Sequence, residues 1–343
     1  MTTKLAGNAC KALAAGFLAV LCQSQALAHH SPAAFDTAVE ISVSGTIVEY
    51  SFRNPHVYMT LEAYRPDGSS YRIEVEAGAG SVIGPMGFTP DAVAVGDVVS
   101  IVGNPGRRDP EGLMMGRELY RADGSYVPLH IRSRSELYAT QDATADSLTG
   151  TWFPPRDHFY GILGAINQNW PLTAKGRAAQ AATLPTSTAQ KDCLPLGEPA
   201  LMFYPVAISL TLHADRLEMD IDWLDSERTV WLDGRSHPPA DQRFLHGHSV
   251  GHWEGDTLVI DTTNFLENSI GLSMAVPSGP DKRVEERLRL ADDRKQLLVE
   301  TRVEDPDYLT APAAYAGEWL YRPAMQHSNE SCDLDVARRF LDD

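Results

Sequence analysis

The stretch "DRLEMDIDWL" alternates strictly, with Leu217, Met219, Ile221 and Trp223 on one side and Glu218, Asp220 and Asp222 on the other. A period of two is the signature of a strand with one buried face, and it excludes an amphipathic helix there. The rhythm recurs along the chain. "HVYMTLEAY" sets Val57, Met59, Leu61 and Ala63 against His56, Tyr58, Thr60 and Glu62, and after the turn "RPDGSS" the segment "YRIEVEA" places Tyr71, Ile73 and Val75 together. "VGDVVSIVGNPG" and "MMGRELYRADGSYVPLHI" add further strands. Downstream, "RTVWLDGR", "DTLVIDTTNF", "VEERLRL", "LLVETRVED" and "AGEWLYRP" follow at hairpin distances. Only "TAKGRAAQAA" reads as a short helix, and no βαβ alternation occurs.

The expected fold is therefore all-β. About five glycine-rich strands in 29–132 predict a small closed barrel of OB type, with a small open sandwich as the alternative. Residues 133–149 are polar and aperiodic and read as a linker. Residues 150–343 predict an up-and-down antiparallel meander closed as a lipocalin-like barrel. "LENSIGLSMAVPSGPDKR" reads as a long loop capping the mouth of that barrel.

Residues 1–28 carry Lys4 and Lys11, no acid, an apolar run from Leu13 to Leu21, and small residues at Ala26 and Ala28, the pattern of a secretory signal peptide cleaved between Ala28 and His29. Nothing downstream reaches the ~20 apolar residues of a membrane span. The reading is a periplasmic or secreted protein with no transmembrane segment in its mature part. Cleavage would remove Cys10 and Cys22, leaving Cys193 and Cys332 as the thiols of an oxidising compartment, so a disulfide between them is expected. Loss of two lysines takes the formal charge from −17 to about −19, which argues against a nucleic-acid or anionic-membrane partner.

"AHHS" followed by "NPHV" resembles an uncharacterised family of exported bacterial domains. "RTVWLDGRSHPP" with "HSVGHWEGDTLVIDTTNF" is similar to a second uncharacterised exported family, in which tryptophan, Asp-Gly and Trp-Glu-Gly-Asp recur. The resemblance implies export and two modules, and it supplies no reaction.

Cleavage before His29 would give one residue both a free α-amine and an imidazole, a chelating pair suited to Cu(II). His30, and His56 at a strand start after Pro55, are candidates to complete the site; Met59, Met114 and Met115 are candidate soft ligands. The arrangement resembles a histidine brace in ligand type. "GHSVG" matches the G-x-S-x-G elbow with Ser249 in the nucleophile slot, but the following "HWEGDTLVID" predicts strand-turn-strand rather than the helix that motif needs. His246, His248 and His252 form H-x-H-x-x-x-H, and an extended chain would set the first two on one face. His248 with Asp256 or Asp261 nearby, and Asp157 and His158 in "PRDHFYG", are the candidates for acid–base chemistry. Trp231 and Trp253 read as core or barrel-end packing. The function that follows is an exported metal- and small-ligand-binding protein, with copper at His29 and a small hydrophobic molecule accepted by the second barrel. The alternative is a hydrolase, isomerase or oxidase acting in that barrel.

Overall fold

Period-two segments broken by Asp-Gly turns pair with their neighbours, and in the computed structural model they close into two barrels. The structure describes residues 34–53, 56–131, 133, 142–155, 162, 164, 168–183, 193–327, 332 and 334. The first six strands are β1 (Ile41–Ser51), β2 (Tyr58–Tyr64), β3 (Ser70–Glu76), β4 (Val98–Pro105), β5 (Leu113–Arg121) and β6 (Tyr126–Pro128). They pair in the order β3-β2-β1-β4-β5-β6, and a parallel pairing of β3 with β5 closes five of them into a ring. A one-turn helix, Gly80–Ile83, bridges β3 and β4. This is an OB-type barrel. The alternation places Val57, Met59, Leu61, Ala63, Ile73 and Val75 in the core as expected, and Tyr58, expected outside, is buried too. Gly103 sits where the register of β4 against β5 slips, and a Cβ there would lie 2.1 Å from the Met115 carbonyl oxygen.

The second barrel uses β7 (Gly150–Phe153), β8 (Ile208–Leu212), β9 (Arg216–Ile221), β10 (Ser226–Trp231), β11 (His248–Glu254), β12 (Thr257–Thr263), β15 (Arg283–Leu290), β16 (Gln296–Glu304) and β17 (Ala313–Tyr321). Among the described residues these nine strands close in the order β10-β11-β12-β15-β16-β17-β7-β8-β9. It is the up-and-down closed barrel the sequence predicts, with one departure from a purely antiparallel meander. β10 and β11 run parallel, with Val230 opposite Ser249 and Trp231 opposite Val250. Directions cannot alternate all the way round a ring of odd number, so one neighbouring pair has to be parallel. A parallel pair needs a return crossover, and residues 232–247 supply it. Their path creates the cleft described below.

The helix Ala174–Thr183 forms where "TAKGRAAQAA" predicts it. Residues 266–283 are more than a loop: β13 (Asn268–Ser273) and β14 (Val276–Ser278) form a hairpin whose Ile270, Leu272 and Val276 are buried. A hairpin pairs its backbone groups where a bare buried loop would leave them unmet. The disulfide joins Cys193 to Cys332, with their Cα atoms 5.8 Å apart. Among the described residues no helix is long and apolar enough to cross a membrane.

Inward residues of the second barrel fall in layers. Leu258, Ile260, Leu288, Leu297, Val299 and Trp319 belong to one apolar cluster, and Phe265, Leu272, Val276, Val284, Val303 and Ala313 to another. Between them lies a polar belt. Glu286, Thr301 and Tyr315 face one another across three successive strands, and Ser249 faces Thr262 across two more. Arg228 reaches over from β10 to pair with Glu286, donating also to Thr262 Oγ1 at 2.8 Å and Ser249 Oγ at 3.0 Å.

Candidate functional site

Arg228 and Glu286 have side chains only 1% exposed, so their ion pair is a tie inside the core that solvent does not reach. Its geometry also settles "GHSVG". Ser249 lies on β11 with Arg228 and Thr262 as its hydroxyl's partners, and a turn and strand follow, so no nucleophile elbow forms.

An accessible cleft of about 680 Å³ lies at the end of the barrel where β11 and β15 begin and β12 and β16 finish. One wall is the crossover, with His237, Pro238, Ala240 and Arg243; the other is the β16–β17 connection, with Pro306, Leu309, Ala311 and Pro312. The crossover is anchored firmly. Asn264 takes the left-handed backbone that asparagine tolerates, with φ of 59°. Its Nδ2 donates to the carbonyls of Pro239 at 3.0 Å and Gln242 at 2.9 Å. Arg243 donates to the Pro280 carbonyl and to Asp281 Oδ1, the latter at 2.7 Å. Lys282, buried beneath, donates to the Glu198 carbonyl and to Ser278 Oγ, and its ammonium lies 4.1 Å from the Phe265 ring centroid. Burial brings that ammonium's pKa down to about 8, against the opposing pull of Glu198 and Asp305. Glu198 would be pushed up by burial, but His246, Arg228 and Lys282 together hold it down to about 2.

At the crossover wall three groups form a chain. Asp261 Oδ2 lies 3.2 Å from His237 Nε2, and His237 Nδ1 lies 3.1 Å from His248 Nδ1. Asp261 Oδ1 accepts from Arg283 Nε at 2.6 Å. Because the carboxylate only accepts, a neutral His237 carries its proton on Nε2 and offers its Nδ1 lone pair to His248. The His248 pKa is lowered, first by burial, then by His237 and Arg235. Arg235 itself is paired with Asp233 at 2.6 Å and stacks 3.6 Å over the Trp231 ring.

Several sequence candidates part company here. His246 bonds buried Glu198 at 3.1 Å, His248 faces His237, and exposed His252 sits 3.3 Å from Glu254, so the H-x-H-x-x-x-H set does not converge. Gly247, with φ of 68°, breaks the extended path that would have aligned the first two. Asp261 rather than Asp256 connects to His248, and it does so through His237. His237 was not a candidate from the sequence, although its "SHPP" setting lies within the quoted motif. Trp253, expected as packing, is 45% exposed on the β11–β12 hairpin.

In the first barrel, His56 Nδ1 lies 3.1 Å from the Ala77 carbonyl oxygen and 3.3 Å from Glu76 Oε1. Burial pushes the Glu76 carboxyl up, with His56 pulling the other way. Met59 and Met114 are core residues, which removes them as ligands at the surface beside His56. His29, His30, Asp157 and His158 lie outside the described residues.

Residues 18–114 match the model of a family of unknown function (DUF6152). The match spans "AHHS" and "NPHV" and ends within β5, which is consistent with an uncharacterised family over that part of the chain. No curated protein matches the chain. Among solved structures, a crystal structure of a mutant of the fluorescent protein UnaG is similar at 16% identity, over 35% of this chain and 72% of that one, with a TM-score of 0.20. So low a score carries no weight for the fold or for a ligand.

Proposed function

We propose that this is an exported binding protein whose second barrel takes a small, largely apolar molecule in the end cleft between the crossover and the β16–β17 connection. The carrying observation is the cleft itself. At about 680 Å³ it lies within the range of small-molecule sites, roughly 300–1,000 Å³. Its walls supply prolines, alanines and Leu309, and its rim supplies Arg243 and Arg283, paired with Asp281 and Asp261, beside Glu304 and Asp305, a lining that takes an apolar body with a polar handle. Fluorescence titration with anilinonaphthalene sulfonate, an aromatic anion, tests this. The native protein should bind it saturably, and Ala311→Trp, which fills the cleft from an exposed position, should weaken binding by roughly tenfold or more. Unchanged binding in that variant, or none in the native protein, rejects the cleft.

The metal half of the reading rests on His29 and His30 at the processed terminus, with copper bound by the amine and imidazole of His29. One observation favours His56 as a partner: its Nδ1 faces the Ala77 carbonyl, which fixes the tautomer and puts the lone pair on Nε2, the outer-shell arrangement of many metal-bound histidines. Mature protein loaded with Cu(II) should give a nitrogen-ligated EPR signal, at one copper per chain, that His29→Ala abolishes. Equal copper in both proteins rejects a terminal site.

A further inference from the structure

We propose that His237 and His248 form a second metal site, at the crossover wall of the cleft, which binds a divalent transition ion such as Zn(II) through their Nδ1 atoms.

The two nitrogens are 3.1 Å apart on different elements, one on the crossover and one on β11. An ion at the usual Zn–N distance of about 2.0–2.1 Å from both would subtend roughly 95–100°, between a right angle and the tetrahedral angle. The separation of the two nitrogens is that of two ligands of one ion; the ring centroids, 5.3 Å apart, place the rings pointing at one another, so each ring turns off the line between the nitrogens to admit the ion. The outer shell is already in place. Asp261 accepts the Nε2 proton of His237 at 3.2 Å, and Arg283 at 2.6 Å holds that carboxylate, so the coordinating lone pair is aimed at His248. Such carboxylate–histidine pairs orient metal-bound imidazoles and raise their basicity.

Without metal, a proton occupies the space between the two rings. Binding displaces it, and it moves to His248 Nε2 without net charge loss from the pair. The charged groups facing the pair are Asp261, Arg283 through Asp261, and Arg235, whose charge is met by Asp233. Among the described residues no three His, Cys, Asp or Glu gather at one point. The protein thus gives two ligands and leaves the other positions to water or to a donor atom of whatever fills the cleft. The side chain of His237 is 23% exposed and lines the cleft, so an ion has a path to the site.

The test is zinc titration calorimetry on the mature chain carrying His29→Ala and His30→Ala, which removes the terminal histidines from the reading. One Zn(II) should bind near neutral pH. His248→Ala or His237→Ala should weaken it by at least tenfold, Asp261→Asn by about 10–100-fold, and His252→Ala not at all. Circular dichroism checks each variant's fold, and His248→Gln, which keeps the size and a hydrogen-bonding group, stands in should an alanine variant unfold. Equal zinc affinity in the parent and the folded His248 variants overturns the site, as does absence of zinc binding in the parent. Neither result touches the copper reading, which is decided by His29→Ala alone.

Discussion

Replacing Arg228 with methionine is expected to lower the unfolding free energy by about 3–5 kcal/mol, because it strands a carboxylate in the core. Glu286 is wholly buried, and Arg228 is the cation that pairs with it. Ser249 and Thr262 would lose the donor that orders their hydroxyls as well. The double replacement Arg228→Met with Glu286→Leu should recover most of the loss, since removing both charges also removes their desolvation cost. Guanidinium unfolding of the wild-type protein and the two variants measures this. A single variant within ~1 kcal/mol of wild type would show that the belt is not a charge tie.

The second large effect belongs to the disulfide. Cys193 and Cys332 are 139 residues apart and enclose every strand from β8 to β17. Closing a loop of that length restricts the unfolded chain by about 5 kcal/mol on chain-entropy grounds. The variant with both cysteines changed to serine should lose most of that, and reduction of the wild-type protein should match it. A loss below ~1 kcal/mol in either would mean that the unfolded chain is already confined by other means.

Much of the fold was legible because alternation reports a half-buried strand directly, as Val57 to Ala63 and Leu217 to Ile221 illustrate. The disulfide was legible because reading residues 1–28 as a signal peptide leaves Cys193 and Cys332 as the two remaining thiols. The belt was not. "VEERLRL" places Glu286 at an inward position between Val284 and Leu288, and a buried glutamate makes sense only with Arg228, a partner 58 residues away in sequence. The parallel pair was hidden for a related reason. Whether β10 and β11 must run together depends on the parity of the whole ring, including β7, whose four residues lie far upstream. With the crossover unseen, His237 could not be placed beside His248, and the search for partners ran along β11 to His246 and His252 instead. Backbone geometry at Gly247 and a lone asparagine at position 264 decide that local arrangement, and neither has a periodic signal.

Parity thus links sequence to the cleft: an odd ring forces a crossover, the crossover makes a wall, and the wall makes a cleft. Amide hydrogen exchange with and without anilinonaphthalene sulfonate tests that chain most directly. The account predicts added protection in residues 237–243 and 305–312, the two walls of the cleft. Protection confined to the second groove of about 430 Å³, around Arg287, Glu300 and Ala316, would contradict it.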